Sequence, residues 1–284
     1  MGSTILGLWR LALYLGLTVC GMPVQMALLL LRRPERTRFP VWYHRQVLRI
    51  VGIRLVVIGS PSAAKPTLFV SNHSSYLDIE VLGALLPASF VAKSEVSGWP
   101  MFGWLAKLQQ TVFIERRRGR TGKSRDDIAT RLEGGGNLVL FAEGTSSDGN
   151  RVLPFKSALF AVASLRPGGR PLVVQPVSVT PTRLDGIPLG YTHRTLYAWY
   201  GDMSLAPHLW NFVRLGRMVV QVEFHPPVTL DEVSSRKALA EHCWARVAAG
   251  VSRAIAGRAP EPEPGPSAAR ASGPGTPADA ALTA

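Results

Sequence analysis

Short apolar runs of strand length recur through the middle of this chain, each broken by a polar loop and followed by a stretch with helical spacing. That alternation is the tightest constraint on the fold, because strand and helix in turn satisfy a layered α/β structure rather than a bundle or a sandwich. Strands are expected at 53–58, 67–70, 88–92, 112–115, 138–141, 171–179, 195–199 and 217–225. Helices are expected at 78–86, 99–108, 125–133, 155–164 and 234–256. Pro87 ends the first helix, Pro100 fits the first turn of the second, and Gly134-Gly135-Gly136 terminates the third. The expected fold class is α/β, a mixed sheet flanked by helices, with an N-terminal membrane-associated helix.

Two of the loops carry chemistry. The run at 67–70 opens into Asn72-His73-Ser74-Ser75-Tyr76-Leu77-Asp78. If a helix begins near Ser75, Asp78 lies in its first turn and can fold back toward the His73 imidazole. One ring nitrogen is then held by the carboxylate while the other faces a substrate hydroxyl, the arrangement of a general base. Taken alone, the spacing also fits a helix cap by Ser74 or Ser75 beside a solvated histidine. A second loop some seventy residues on tips the reading toward a site, where the run at 138–141 opens into Ala142-Glu143-Gly144-Thr145-Ser146-Ser147-Asp148-Gly149.

Together these loops resemble the glycerolipid acyltransferase family, the 1-acylglycerol-3-phosphate acyltransferases and their relatives. Four blocks follow in order between about residues 51 and 227. Asn72-His73 through Asp78 is similar to the H-x-x-x-x-D block, and Thr111-Val112-Phe113-Ile114-Glu115-Arg116 to the second, whose strand delivers an arginine. Phe141-Ala142-Glu143-Gly144-Thr145 resembles the third, usually F-P-E-G-T-R, and Val173-Val174-Gln175-Pro176-Val177 the apolar fourth. Ala142 replaces the usual proline, and Ser146 stands where many members carry an arginine that helps hold a phosphate.

The resemblance implies direct attack of an alcohol on a thioester, with no acyl-enzyme intermediate. His73 is the expected base, and Asp78 orients it and stabilises its protonated form. Arg116 and the Glu143-Gly144-Thr145 loop are expected to hold the acceptor head. A guanidinium offers a planar fork to a phosphate, whereas Glu143 would accept from an acceptor hydroxyl or hold a basic side chain. Backbone N–H groups near Gly144 are candidate oxyanion or phosphate donors. Lys156 could reach the same phosphate. The acceptor expected first is 1-acyl-sn-glycerol-3-phosphate, with a lyso-ornithine lipid as the alternative because Ser146 removes a cation. The acyl donor is acyl-CoA or acyl carrier protein, as co-substrate rather than cofactor. A non-catalytic membrane-binding protein is the rival from another class.

Composition agrees with this reading. The 284 residues suit one domain with appendages, and a net charge of +13 with a pI near 10.5 suits a polyanionic partner. A membrane is preferred to nucleic acid, because an apolar N-terminal segment accompanies the charge and no nucleic-acid-binding signature does. No charge appears from Leu11 to Leu31, long enough to cross a bilayer, although Pro23 and Gln25 keep a kinked helix in one leaflet open. The segment is expected to remain on the mature protein, and Arg32, Arg33, Arg36 and Arg38 behind it put the catalytic part on the cytoplasmic side. Trp9, Trp42 and Tyr43 suit an interfacial belt. The expected organisation is a membrane-associated segment at 1–40, an acyltransferase domain at 41–256 and a disordered tail, rich in Pro, Ala, Gly and Ser, at 257–284.

Other signals are weak. Cys20 and Cys243 form neither a disulfide framework nor a zinc site, and the remaining histidines lack metal-ligand spacing, so no metal is expected. Gly134-Gly135-Gly136 follows a helix and precedes a strand, the wrong order for a nucleotide loop, and no G-x-S-x-G elbow is present. The segment Trp199-Tyr200-Gly201-Asp202-Met203 is unusual in composition and a candidate for the acceptor pocket, without an assigned mechanism.

Overall fold

A computed structural model describes residues 2–99, 101–114 and 121–259. The β-branched runs become strands β1 (Ile53–Ile58), β2 (Thr67–Ser71), β3 (Ala88–Lys93), β4 (Val112–Ile114), β5 (Asn137–Phe141), β6 (Val173–Leu184), β7 (Ile187–Pro188), β8 (Met218–Phe224) and β9 (Val228–Thr229). They form a mixed sheet in the order β1-β8-β6-β2-β5-β3-β4, with β7 and β9 paired to β6. The helices are α1 (Thr4–Leu30), α2 (Phe39–Val51), α3 (Leu77–Gly83), α4 (Phe102–Leu108), α5 (Thr121–Glu133), α6 (Leu205–Val213) and α7 (Arg236–Ile255).

Central strands are buried on both faces, as parallel strands between helical layers must be. All five residues of β2 are buried, and they alternate sides. Phe69 joins a core with Val47, Leu48, Leu82 and Phe212, drawn from α2, α3 and α6. Leu68 and Val70 join another with Leu132, Leu239, Cys243 and Val247, drawn from α5 and α7. Val139 of β5 falls in the first core and Leu138 and Leu140 in the second. The site is positioned by this sandwich, because β2 runs parallel to β5 with Ser71 opposite Phe141, and parallel to β6 with Ser71 opposite Val177. Loops leaving β2 and β5 therefore emerge side by side, at the carboxyl ends where open α/β sheets bind ligands.

Several elements differ from expectation for identifiable reasons. The expected strand at 195–199 is absent: residues Thr192–Leu196 form a 3-10 turn, because Arg194 and Tyr197 turn inward to satisfy polar groups of other loops. Residues Ser157–Ser164 are also 3-10 rather than α-helical, and the helix expected from 99 begins at Phe102, after a 3-10 turn at Ser94–Gly98. Helix α2, not expected as a helix, packs on α1 and α3 and ends at Gly52 with φ 83°; of the aromatics expected in an interfacial belt, Tyr43 turns toward α1 while Trp9 and Trp42 are exposed. Helix α6, with Pro207 in its first turn, was not expected. The expected tail lies outside the described residues from position 260 onward.

Helix α1 is inverted relative to a helix of a soluble core. Its buried face is Gly7, Arg10, Tyr14, Thr18, Gly21 and Gln25, spaced three and four residues apart. The Arg10 guanidinium donates to the carbonyls of Val213 (3.2 Å), Leu215 (2.6 Å) and Gly216 (3.3 Å). Thr18 Oγ1 lies 2.8 Å from the Tyr43 hydroxyl, and Gln25 donates to Arg36 O and Leu108 O. The opposite face is apolar, with Ile5, Trp9, Val19 and Leu30 between 62% and 82% exposed.

The α2–α3 crossing is close because Gly83 has no side chain. A Cβ there would fall on the Cδ2, Nε2 and Cγ atoms of His44, whose ring bridges Glu80 (2.6 Å) and Gln109 (3.1 Å). Replacing Gly83 by Ala should therefore overpack this crossing at a cost of about 1–3 kcal/mol. Thermal unfolding in detergent should show a lower Tm, and an unchanged Tm would mean that α2 and α3 part freely.

Candidate functional site

The loop after β2 turns directly into α3, so Asp78 occupies the first helical turn and its carboxylate reaches back over the loop. Asp78 is wholly buried, and four donors converge on it. Oδ2 accepts from Ser74 N at 2.7 Å, Ser75 N at 2.9 Å and His73 Nδ1 at 3.0 Å, while Oδ1 accepts from the Tyr197 hydroxyl at 2.8 Å. With every contact a donor, the shared hydrogen belongs to His73 Nδ1, which leaves Nε2 as the basic lone pair. Among the described residues Nε2 has no hydrogen-bond partner, and the His73 side chain is 21% exposed. Its ring stacks on Phe141 at 4.0 Å and 21°, so the imidazole is held by a carboxylate at one edge and an aromatic plane on one face.

The second loop grips the first through its backbone. Glu143 is 1% exposed, its Oε1 accepting from His73 N at 2.7 Å and its Oε2 from Leu153 N at 2.9 Å. Ser147 N donates to His73 O at 2.9 Å. Both main-chain polar groups of His73 are therefore held by the loop that follows β5. Burial pushes the Glu143 carboxyl up to about 8, while the N–H bonds from His73 and Leu153 act in the opposite sense. Asn72 completes the frame by exchanging two 2.9 Å bonds with the backbone of Val179 on β6.

The expected residues are distributed as follows. His73, Asp78, Glu143, Gly144 and Thr145 come together at the carboxyl ends of β2 and β5. Glu143 faces inward onto backbone N–H groups, whereas Thr145 is exposed. Gly144 adopts φ 67°, and its N–H donates to Phe141 O at 3.1 Å, so that N–H closes the turn instead of pointing at a ligand. A Cβ on Gly144 would lie 3.0 Å from Lys156 Nζ, which places this exposed lysine over the turn. Arg116 lies outside the described residues. Sequence reasoning missed Tyr197, which is buried and 119 residues from Asp78. No local pattern could have paired the two.

A largely apolar cavity of about 160 Å³ opens beside this site, between α1, α2, α3, α4 and β3. Met22, Phe39, Tyr76, Phe90, Phe102 and Leu105 are among its walls. It is linked to the imidazole through stacked rings, since Phe90 lies 6.1 Å from Phe141 at 18° and Phe141 lies against His73.

An imidazole held at one edge by a buried carboxylate, with its other nitrogen unpartnered among the described residues and an apolar cavity nearby, is an arrangement suited to general-base chemistry on a hydroxyl. Comparison with known proteins gives that chemistry a family. Residues 54–180 match the family model described as Acyltransferase. The lyso-ornithine lipid O-acyltransferase of Brucella abortus (strain 2308) is 45% identical over 251 residues, which cover 87% of this chain and 94% of that protein. The 1-acyl-sn-glycerol-3-phosphate acyltransferase of Neisseria meningitidis serogroup B (strain ATCC BAA-335 / MC58) is 33% identical over 210 residues, 72% of this chain and 78% of that one. The crystal structure of the 1-acyl-sn-glycerophosphate (LPA) acyltransferase PlsC from Thermotoga maritima shares the fold, with a TM-score of 0.64 at 20% identity over 88% of this chain and 95% of that chain. The chain belongs to the acyltransferase family and is an acyltransferase.

Two outcomes follow from the geometry. Tyr197→Phe leaves Asp78 Oδ1 without its hydroxyl donor inside the protein, a loss of about 1–3 kcal/mol. The variant should melt earlier and lose kcat more than KM, and wild-type kcat would show that the tyrosine does not position Asp78. For Glu143, a folded pKa near 8 above the ordinary 4.5 means that the folded state keeps a proton the unfolded chain releases. Its contribution is therefore full below about pH 4.5 and declines as pH rises toward 8. Glu143→Gln should flatten that part of the stability profile in unfolding titrations between those pH values.

Proposed function

We propose that this acyltransferase moves a fatty acyl group from a thioester, acyl-CoA or acyl carrier protein, to the free hydroxyl of a lysolipid at a membrane surface. The observation that carries the reading is the His73–Asp78 pair at 3.0 Å, with Nε2 unpartnered among the described residues. In the step, the acceptor oxygen attacks the thioester carbonyl as its proton passes to His73 Nε2. The tetrahedral intermediate then expels the thiolate, which leaves with that proton. The carboxylate of Asp78 stabilises the transient imidazolium, and Glu143 acts as a positioning residue by fixing the His73 backbone. The neighbouring cavity suits a hydrocarbon chain, because its walls are mostly apolar, with Gln25, His44, Glu80 and Gln109 among the polar exceptions, and its Phe90 wall reaches the His73 ring through Phe141.

The acceptor favoured is a lyso-ornithine lipid, which reverses the order expected from the motifs. The relative at 45% identity carries that name, whereas the relative named for 1-acyl-sn-glycerol-3-phosphate stands at 33%. Ser146 in place of a phosphate-binding arginine supports the same order. Arg116 and Lys156 are the cations proposed to meet the anionic part of the acceptor, alongside Thr145 of the exposed turn.

Membrane association belongs to the same reading. The outward face of α1 is apolar and its inward face is bonded to the domain from Arg10 to Gln25, roughly 22 Å at 1.5 Å per residue. A helix tied to its domain along that length supports insertion into one leaflet more than a free crossing. The basic cluster Arg32, Arg33, Arg36 and Arg38 supports the cytoplasmic side.

Purified enzyme in mixed micelles, given lyso-ornithine lipid or lysophosphatidic acid with a labelled acyl donor, tests both parts. The wild type should acylate the ornithine acceptor faster. His73→Ala should lose about 10²–10⁴-fold in turnover with its melting temperature retained. Undiminished transfer by that variant would remove the mechanism, and preference for lysophosphatidic acid would restore the other acceptor.

A further inference from the structure

The segment after Tyr197 forms an aromatic corner beside the catalytic loop. Trp199 N donates to Ser74 O at 2.8 Å, one residue beyond His73. The Trp199 indole N–H donates to Met203 O at 2.8 Å, closing the turn that carries the exposed Asp202. The first bond fixes the Trp199 main chain and the second its indole. Its ring meets Trp99 at 6.1 Å and 88°, and Tyr76 at 6.0 Å and 69°. Tyr76 is itself held by its hydroxyl, 3.1 Å from His208 Nδ1. Trp99 is 38% exposed, and it and Tyr76 also line the apolar cavity described above whereas Trp199 does not, so the cluster stands at that cavity's edge.

In an edge-to-face pair one ring's face is met by its neighbour's edge, and the faces left uncovered in such a cluster stay electron-rich and attract an alkylammonium. Asp202, exposed in the turn that the Trp199 indole closes, adds a negative charge to the same segment. The same surroundings repel a phosphate, since both the ring faces and Asp202 are negative toward it. An ornithine head joined to a fatty acid through one amino group keeps its other amino group as a free ammonium. We propose that Tyr76, Trp99 and Trp199, with Asp202, form the subsite that receives this ammonium and so determine the choice of an amino-acid-headed lysolipid over a phosphate-headed one. This inference rests on the acceptor reading given above.

The test compares three acceptors with purified full-length enzyme: lyso-ornithine lipid, the same lipid with its free amine acetylated, and lysophosphatidic acid. Acetylation removes the cation and leaves the reactive hydroxyl. The wild type should favour the free amine by about tenfold, chiefly in KM, as expected of a cation held by aromatic faces. Trp199→Leu should erase that preference and Trp199→Phe should retain most of it. Asp202→Asn should weaken it several-fold, through a higher KM for the free-amine lipid. If Trp199→Leu does not fold, Trp99→Leu and Asp202→Asn, both at exposed positions, carry the comparison. Equal wild-type use of the free and acetylated lipids would overturn the subsite while leaving the acceptor reading intact, as would full discrimination retained by the substituted enzymes. Acylation of lysophosphatidic acid alone would overturn both.

Discussion

A carboxylate sealed from water has to be satisfied by protein, and the structure around Asp78 is organised by that requirement. Two consecutive backbone N–H groups, one imidazole and one phenol supply its donors. Each donor imposes something further. The N–H groups of Ser74 and Ser75 bend the loop into the start of α3, the imidazole edge sets which nitrogen is basic, and the phenol draws residues Thr192–Leu196 and Tyr197 inward as a turn. Tyr197 has its own acidity suppressed far beyond the usual phenol range, by burial first and by Asp78 second, so it remains a donor at any working pH.

The sheet converts this local requirement into a site. Because β2 and β5 are parallel and in register at Ser71 and Phe141, two loops separated by some seventy residues leave the sheet side by side. Glu143 and Ser147 then hold the His73 main chain from both its N–H and its carbonyl, so the histidine has little freedom beyond its side chain. Preorganisation of this kind lowers the entropic cost of catalysis without any contact to substrate. The same geometry places Phe141 under the imidazole and Phe90 under Phe141, joining the His73 ring to an apolar space bordered by β3 and by helices α1, α2, α3 and α4.

Much of the framework was legible in the sequence. The strands β1, β2, β3, β5 and β8 fall within a residue or two of the periodic apolar runs, since burial on alternate faces is written directly into residue order. Helix α7 begins where a serine cap would start it, with Ser235 Oγ accepting from Ala238 N at 3.2 Å. The strand expected at 195–199 failed because β-branched and aromatic residues describe a half-buried surface and carry no information on what a phenol must bond. Helix α2 was hidden for a related reason. Its aromatics read as an interfacial belt, yet Tyr43 and His44 serve as partners for α1 and α3.

The sequence by itself determined the α/β class, the apolar character of the N-terminal helix and the pairing of His73 with Asp78, because each depends on residues close together along the chain. Only the tertiary structure decided that Glu143 faces backbone rather than ligand, that Tyr197 completes the acid, that α1 turns its polar face toward the protein, and that Trp199 meets Tyr76 and Trp99. These are contacts between segments far apart in the chain. They follow from strand register and helix crossings, which no local spacing encodes.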